Sequence, residues 1–236
     1  MNNNKITTYL LYAIGEIILV VVGILIAVQI DNWNEANKER KMELHYLKNI
    51  KEDLRANIKI IDQFIYNRDS CIHSAEIIIS HLEGAPVTDW KAFNEHCINI
   101  YDWRRYYRVN TTFEELTYSG NLGLISNDTI KTQLLNLESM FMETKGEEDH
   151  FRFDSEEIIY KPLYNLVDLH PSLRKYGGED VELNYEMYKN YFADIRVKNG
   201  FLMVILELSK MNGQLAQMKE VSQQLIKTID LEIAKK

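Results

Sequence analysis

Hydrophobic and polar positions divide the chain into an apolar start and a long amphipathic remainder. Residues 9–30 read YLLYAIGEIILVVVGILIAVQI, an almost unbroken apolar run in which Glu16 is the only acidic or basic residue. As a helix this run is ~33 Å long, enough to cross a hydrocarbon core of about 30 Å. Tyr9, Tyr12 and Trp33 flank it, as aromatic residues flank many membrane spans. The pattern therefore predicts a transmembrane helix over residues 9–30.

A removable signal peptide is the alternative interpretation of this run. Signal peptides have a basic start, an apolar region of about 7–15 residues and a small-x-small cleavage site. Here Lys5 is the only basic residue before the run, the run is longer, and Ala27-Val28-Gln29 lacks the second small residue. A retained anchor is therefore favoured, with residues 1–8 as a short N-terminal tail.

From Asn34 to Leu82 the pattern predicts one long helix that continues the span, because no proline or glycine intervenes. From Leu54 onward, apolar residues recur at alternating steps of three and four, the heptad pattern of helices packed side by side. Arg68 is the polar interruption. One column consists of Leu54, Ile61, Ala75 and Leu82, and the other of Ile58, Ile65, Ile72 and Ile79.

A second heptad pattern predicts a last helix from about Tyr185 to the end of the chain. Its columns are Phe201, Leu208, Leu215 and Ile229, and Val204, Met211, Met218 and Leu225, with Ser222 as the break. Two long helices of similar length, joined through shorter ones, are expected to pack antiparallel. We therefore predict an all-α fold, in which the transmembrane helix continues into an elongated antiparallel bundle that forms one soluble domain over residues 31–236.

The composition excludes some classes of function. The net charge is −8 at pH 7 and no basic tract occurs, which argues against binding to nucleic acid. The six histidines and two cysteines form no HExxH or CxxC motif, and the chain has no GxSxG, GxGxxG or phosphate-binding glycine loop. The sequence therefore predicts no metal, no cofactor and no catalytic residue, and it favours a protein that is not an enzyme.

Glu16 is the most informative single residue, because a carboxylate within a membrane span costs about 3 kcal/mol on insertion scales. Glu16, Gly23 and Ala27 fall on one helical face, and Gly23 and Ala27 form a small-xxx-small pair. Such a face lets two helices approach closely, with a polar group hydrogen-bonded across the contact. We interpret it as a face for self-association. An intramembrane ion or partner site is one alternative, and a Glu16 that stays near the headgroups is another.

The run YDWRRYYR mixes cationic and aromatic side chains. Trp103, Arg104, Arg105 and Arg108 form a candidate patch for an anionic ligand or a membrane surface. The alternative is a helix end whose arginines pair with nearby carboxylates.

Cys71 and Cys97 lie symmetrically about the turn Gly84-Ala85-Pro86, each thirteen positions from Gly84. An αα-hairpin around that turn places the two residues opposite each other. We predict that their side chains face each other, with a disulfide if the domain is in an oxidising compartment. Two touching buried thiols are the alternative.

The stretch YLLYAIGEIILVVVGILIAVQIDNWNE, followed later by FEELTYSGNLGLI, resembles an uncharacterised family of small anchored proteins that is common in Bacteroidota. This resemblance implies an all-helical soluble domain and supplies no activity. Family members often carry a basic N-terminal extension, which implies a cytoplasmic start and a periplasmic domain, whereas this sequence begins MNNNKITT. We expect a single-pass protein of the inner (cytoplasmic) membrane with a periplasmic domain.

The leading hypothesis for function is a membrane-anchored interaction or scaffold protein. Its expected partners are the lipid bilayer, further copies of itself through the span, and an unidentified protein. One alternative is a membrane-anchored sensor whose bundle binds a small ligand. Another is an assembly that moves ions or protons past Glu16.

Overall fold

A computed structural model describes residues 3–101 and 103–235, with side chains from Ile14 onward. Met1 and Asn2 of the predicted tail, and the side chains of Tyr9 and Tyr12, lie outside the described residues. The described chain is helical and has no β-strand, which confirms the predicted fold class. The helices are α1 (Asn3–Leu82), α2 (Trp90–Asn99), α3 (Thr111–Tyr118), α4 (Asp128–Asp154), α5 (Lys161–Leu166), α6 (Leu169–Tyr176), α7 (Tyr185–Ala193) and α8 (Ile195–Ala234).

The two long helices α1 and α8 run antiparallel in one constant register. Polar contacts join them at four heights, namely Lys51 with Asp230, Asp62 with Lys219, Asp69 with Asn212, and Glu83 with Lys198. In each pair the two residue numbers add up to the same total, as they must when two antiparallel helices keep one register. The register is therefore the same along the whole contact. The two long helices therefore pack antiparallel, as predicted, and the shorter helices connect them along the chain.

The heptad columns predicted for α8 form its buried face, and Ser222 is buried among them. On α1 the first predicted column is buried at Leu54, Ile61 and Ala75 and half-buried at Leu82. The second predicted column lies at the edge of the interface, where its isoleucines are only half-buried. The buried second column lies elsewhere on the helix and consists of Ile50, Asn57, Phe64, Cys71 and Ile78. It contains Asn57 because this amide exchanges two hydrogen bonds with the backbone of Val109, at 2.8 and 2.7 Å.

The predicted last helix is interrupted at Asp194. This residue adopts an extended backbone (φ −94°, ψ 112°) and separates α7 from α8. Its side chain accepts a hydrogen bond from the backbone N–H of Arg196 at 2.9 Å, as an N-cap does. The last long helix therefore begins at Ile195 rather than near Tyr185.

A π-helical turn (Ser155–Tyr160) joins α4 directly to α5, and α8 packs closely against it. The contact is made at Gly200, where a Cβ atom would lie 2.9 Å from the carbonyl oxygen of Ile158. Because only glycine leaves room for that oxygen, Gly200 sets the distance between α8 and the π-turn.

A buried ion pair separates two hydrophobic clusters stacked along the bundle. The cluster nearer the apolar end contains Leu47, Phe64 and Leu225, and the distal one contains Ala75, Phe93 and Phe201. Between them, Arg68 Nη2 donates to Glu148 Oε1, and both side chains are almost completely buried. Arg68, the polar interruption predicted from the α1 pattern, is therefore an interior residue with a charged partner.

The base of the bundle is closed by a polar network near Arg40. The Arg40 guanidinium donates to the backbone carbonyl of Glu232 at 2.9 Å. One oxygen of Glu43 accepts from both the backbone N–H and the hydroxyl of Ser126, each at 2.7 Å. These contacts hold the end of α8 and the start of α4 against α1.

Below this network α1 continues alone. Every residue from Ile14 to Glu39 is exposed, including the apolar stretch through Ile30. Among the described residues, one helix is long and apolar enough to cross a membrane, and it is α1. The nine positions from Asp31 to Glu39 then form a bare helical neck, ~14 Å long, between the apolar stretch and the bundle.

Candidate functional site

The predicted membrane face is on the exposed part of α1. Glu16, Gly23 and Ala27 are exposed and contact no other element among the described residues, and a Cβ placed on Gly23 would meet no atom within 4 Å. The face is thus open for a neighbouring helix. Self-association through it stays a prediction.

The structure places the predicted Trp103–Arg108 patch against α4 and the π-turn. Arg105 pairs with Asp149, and Arg108 pairs with Glu138 while its guanidinium lies 3.9 Å from the centre of the Phe141 ring. Arg104 lies beside Arg68 at the edge of a small cavity. The pairs made by Arg105 and Arg108 agree with the alternative in which the arginines pair with nearby carboxylates, but residues 103–110 are a non-helical connection after α2 rather than a helix end. Binding of an anionic ligand or a membrane surface by this patch stays a prediction.

Trp103 itself is a packing residue. Its indole N–H donates to the Tyr160 hydroxyl at 3.0 Å, and its ring meets Phe151 edge-on with 5.0 Å between centroids. The indole therefore ties the segment after α2 to the π-turn.

Cys71 and Cys97 lie in the same hydrophobic cluster, on α1 and α2, and both are buried. The Cys71 thiol donates to the backbone carbonyl of Asn99 at 3.3 Å. Burial raises the pKa of the Cys97 thiol strongly, so this group is neutral at physiological pH. That the two side chains face each other, and that they form a disulfide in an oxidising compartment, both stay predictions.

A cavity of about 470 Å³ opens at the distal end of the bundle, where the short helices meet. This volume is within the range of about 300–1,000 Å³ that is usual for small-molecule sites. The wall is apolar and aromatic, with contributions from α2, α5, α6, α7 and the π-turn. Its lining includes Cys97, Tyr101, Tyr160, Leu163, Tyr164, Leu173 and Tyr188.

The polar side of this cavity is organised by Asn94, which is fully buried. Its amide donates to the backbone carbonyl of Ser172 at 3.1 Å, and its oxygen accepts from the Tyr188 hydroxyl at 2.9 Å and from the Ser172 hydroxyl. Burial raises the pKa of Tyr188 to about 12 and that of Tyr101 further. The phenols are therefore neutral, and they suit an uncharged or weakly polar ligand.

A second cluster combines groups that could hold a metal ion. His150 and Asp154 lie one turn apart at the end of α4, and Glu207 faces them from α8. The Nε2 atom of His150 lies 3.6 Å from an Asp154 carboxyl oxygen. Burial, reinforced by the nearby Asp154 carboxyl, raises the pKa of Glu207 to about 7.

Neither the cavity nor this cluster was predicted from the sequence. The cavity lining comes from five separate elements, and no local motif marks it. For the cluster, the spacing of His150 and Asp154 on one helical face was the available signal, but Glu207 lies more than 50 positions further along the chain.

Comparison with known proteins identifies one family. Residues 16–78, which include most of the apolar stretch and nearly all of the bundle part of α1, match a family of unknown function (DUF6090). No curated protein and no solved structure gives a match. The chain is thus similar to an unknown-function family over its first long helix. Its described part is helical and contains one candidate membrane anchor.

Proposed function

We propose that this chain is a single-pass membrane protein whose helical bundle is an interaction module, and that copies associate through the face formed by Glu16, Gly23 and Ala27. The observation that carries this proposal is the complete exposure of α1 from Ile14 to Ile30. An apolar surface of this size marks a contact with a membrane or another protein, and its length fits a bilayer. The lipid bilayer and a second span together account for the apolar surface and for the carboxyl group within it.

The test is the mass of the full chain in detergent, measured by light scattering. Gly23→Leu should shift the chain towards monomer, because a bulky side chain prevents close approach. Val21→Leu, on the opposite side of the helix, is the matched control and should leave the mass unchanged. A monomer for the unaltered chain would overturn self-association.

Substitutions of Glu16 distinguish a structural role of its carboxyl group from a role in which the group gains and loses a proton. If Glu16 hydrogen-bonds across the contact, Glu16→Gln is tolerated and Glu16→Leu weakens association by ~1 kcal/mol. Loss of cellular function in Glu16→Gln, with the assembly intact, would instead favour movement of ions or protons past this residue.

We place the protein in the inner membrane with its bundle in the periplasm, as the sequence resemblance implies. A cysteine substituted at Tyr118, which is 86% exposed, provides the test. A membrane-impermeant thiol reagent should label it in spheroplasts with an intact inner membrane. Labelling only after lysis would reverse the orientation.

The distal cavity favours a second candidate function, a sensor that binds a small, largely apolar ligand. An anilinonaphthalene dye can probe this cavity. Leu173 lines the cavity and is 57% exposed, so Leu173→Trp should fill it without unfolding the chain and should reduce dye fluorescence. Leu202→Trp, at a comparably exposed position on α8, is the control. Equal dye binding by both variants would reject the cavity as the site.

A further inference from the structure

We propose that His150, Asp154 and Glu207 form a binding site for a divalent transition-metal ion, and that Zn²⁺ matches its chemistry best. The site is independent of the distal cavity and of the membrane span. It joins the end of α4 to the middle of α8, two helices that already pack side by side.

The geometry is close to that of a metal site. Each residue offers one ligand atom, and the three atoms lie within 4.8 Å of one another. Zinc bonds of about 2.0–2.1 Å in a tetrahedron place ligand atoms about 3.3 Å apart. The side chains must therefore close in by at most about 1.5 Å, and the His150–Asp154 pair, at 3.6 Å, by much less. The His150 side chain is 63% exposed, so it is free to make this movement.

Glu207 gives the independent indication of a ligand. The residue is only 9% exposed, and neither carboxyl oxygen accepts a hydrogen bond from any donor in the described chain. A buried acceptor without a donor is destabilising, by about 1–3 kcal/mol and more for a charged group. Its neighbour Asp154 is a second acceptor, so a cation between the two carboxyl groups satisfies both.

The nearest lysine on the same helix does not fill this role. Lys210 lies one turn from Glu207, but its ammonium group pairs with Glu147 at 2.7 Å. Glu207 is thus left facing His150 and Asp154. Apart from His150, whose imidazole is itself a candidate metal ligand, no cationic side chain of the described residues is paired with these two carboxyl groups.

The donor set selects the kind of ion. Imidazole nitrogen suits zinc and other transition metals, whereas Mg²⁺ and Ca²⁺ prefer oxygen ligands throughout. Three protein ligands leave at least one coordination position for water. The exposed His150 and the partly exposed Asp154 provide an entry path from solvent.

The test uses the full chain in detergent, stripped with a chelator and titrated with Zn²⁺ by calorimetry. We expect one ion per chain. His150→Ala, Asp154→Asn and Glu207→Gln should each weaken binding by about tenfold or more, since even residues that only support metal ligands contribute 10–100-fold. His150→Ala alters an exposed side chain, so it remains informative if Glu207→Gln impairs folding.

The control is His73→Ala. His73 is an exposed histidine beside a carboxylate, Glu76, on the surface of α1, and it represents adventitious surface binding. Zinc affinity should be unchanged in this variant. The proposal is overturned if His73→Ala removes the bound ion, if the three site substitutions leave the affinity unchanged, or if the stripped chain binds no Zn²⁺.

Discussion

At the scale of single residues, the Arg68–Glu148 pair is the costliest feature of the interior. Arg68 Nε and Nη1 and Glu148 Oε2 have no hydrogen-bond partner within the described chain, while Glu148 Oε1 also accepts from the Tyr106 backbone N–H at 2.7 Å. Burial lowers the pKa of Arg68 and raises that of Glu148, so each charge is held against a desolvation cost. The pair is therefore expected to add little net stability, and we interpret it as a contact that specifies which part of α4 meets α1.

Breaking this pair from one side should be severe. Arg68→Met alone leaves the Glu148 carboxyl group buried without a cation, and Glu148→Gln alone leaves the buried Arg68 guanidinium without a counter-charge. Either should lower the free energy of unfolding by about 3–5 kcal/mol. The double variant should cost clearly less than the sum, because no lone charge remains. Urea unfolding followed by circular dichroism measures all three.

The exposed pair Arg55–Glu52 is the control, and Arg55→Met should change stability by less than ~0.5 kcal/mol. Additive costs at Arg68 and Glu148 would show that the two groups are not coupled in the folded chain.

At the scale of elements, the two buried columns of α8 were predicted correctly, although its start was not, because apolar residues fill those columns with Ser222 as the exception. On α1 the apolar pattern points to a column of isoleucines that lies at the edge of the interface. The column that is buried contains Asn57 and Cys71 instead. A column that contains polar residues does not look like a buried face until the partners of those residues are known. Val109, the partner of Asn57, is distant in sequence. The distal cavity and the His150–Asp154–Glu207 cluster are both formed by residues that are distant in sequence, so neither could be predicted from a local pattern.

Gly200 provides a test of the contact between α8 and the π-turn. Gly200→Ala should destabilise the fold by about 1–3 kcal/mol, because the new methyl group meets the Ile158 carbonyl and α8 must move away. Gly213→Ala on the same helix has open space around its Cβ and should stabilise by up to about 1 kcal/mol through helix propensity. Thermal unfolding of the two variants measures the contrast. A stabilising Gly200→Ala would mean that α8 does not approach the π-turn closely.

At the scale of the whole molecule, the antiparallel register can be tested by cross-linking. Lys51 and Asp230 are in contact at 2.8 Å, so cysteines at both positions should be joined by a short bifunctional thiol reagent. The control is the double variant Lys51→Cys with Lys219→Cys, because Lys219 lies ~16 Å from Asp230 along α8. Equal cross-linking of the two pairs would contradict a single fixed register.

The unbroken course of α1, from the apolar stretch through the neck to Leu82, makes it a lever. About 78 Å of helix separate Ile30 from Leu82. Transmembrane helices tilt by about 20° on average, and a change of only ~10° at the bilayer would swing the far end of such a lever by about 13 Å. Bilayer thickness or a second span would then decide where the distal cavity sits above the membrane, with no change inside the bundle.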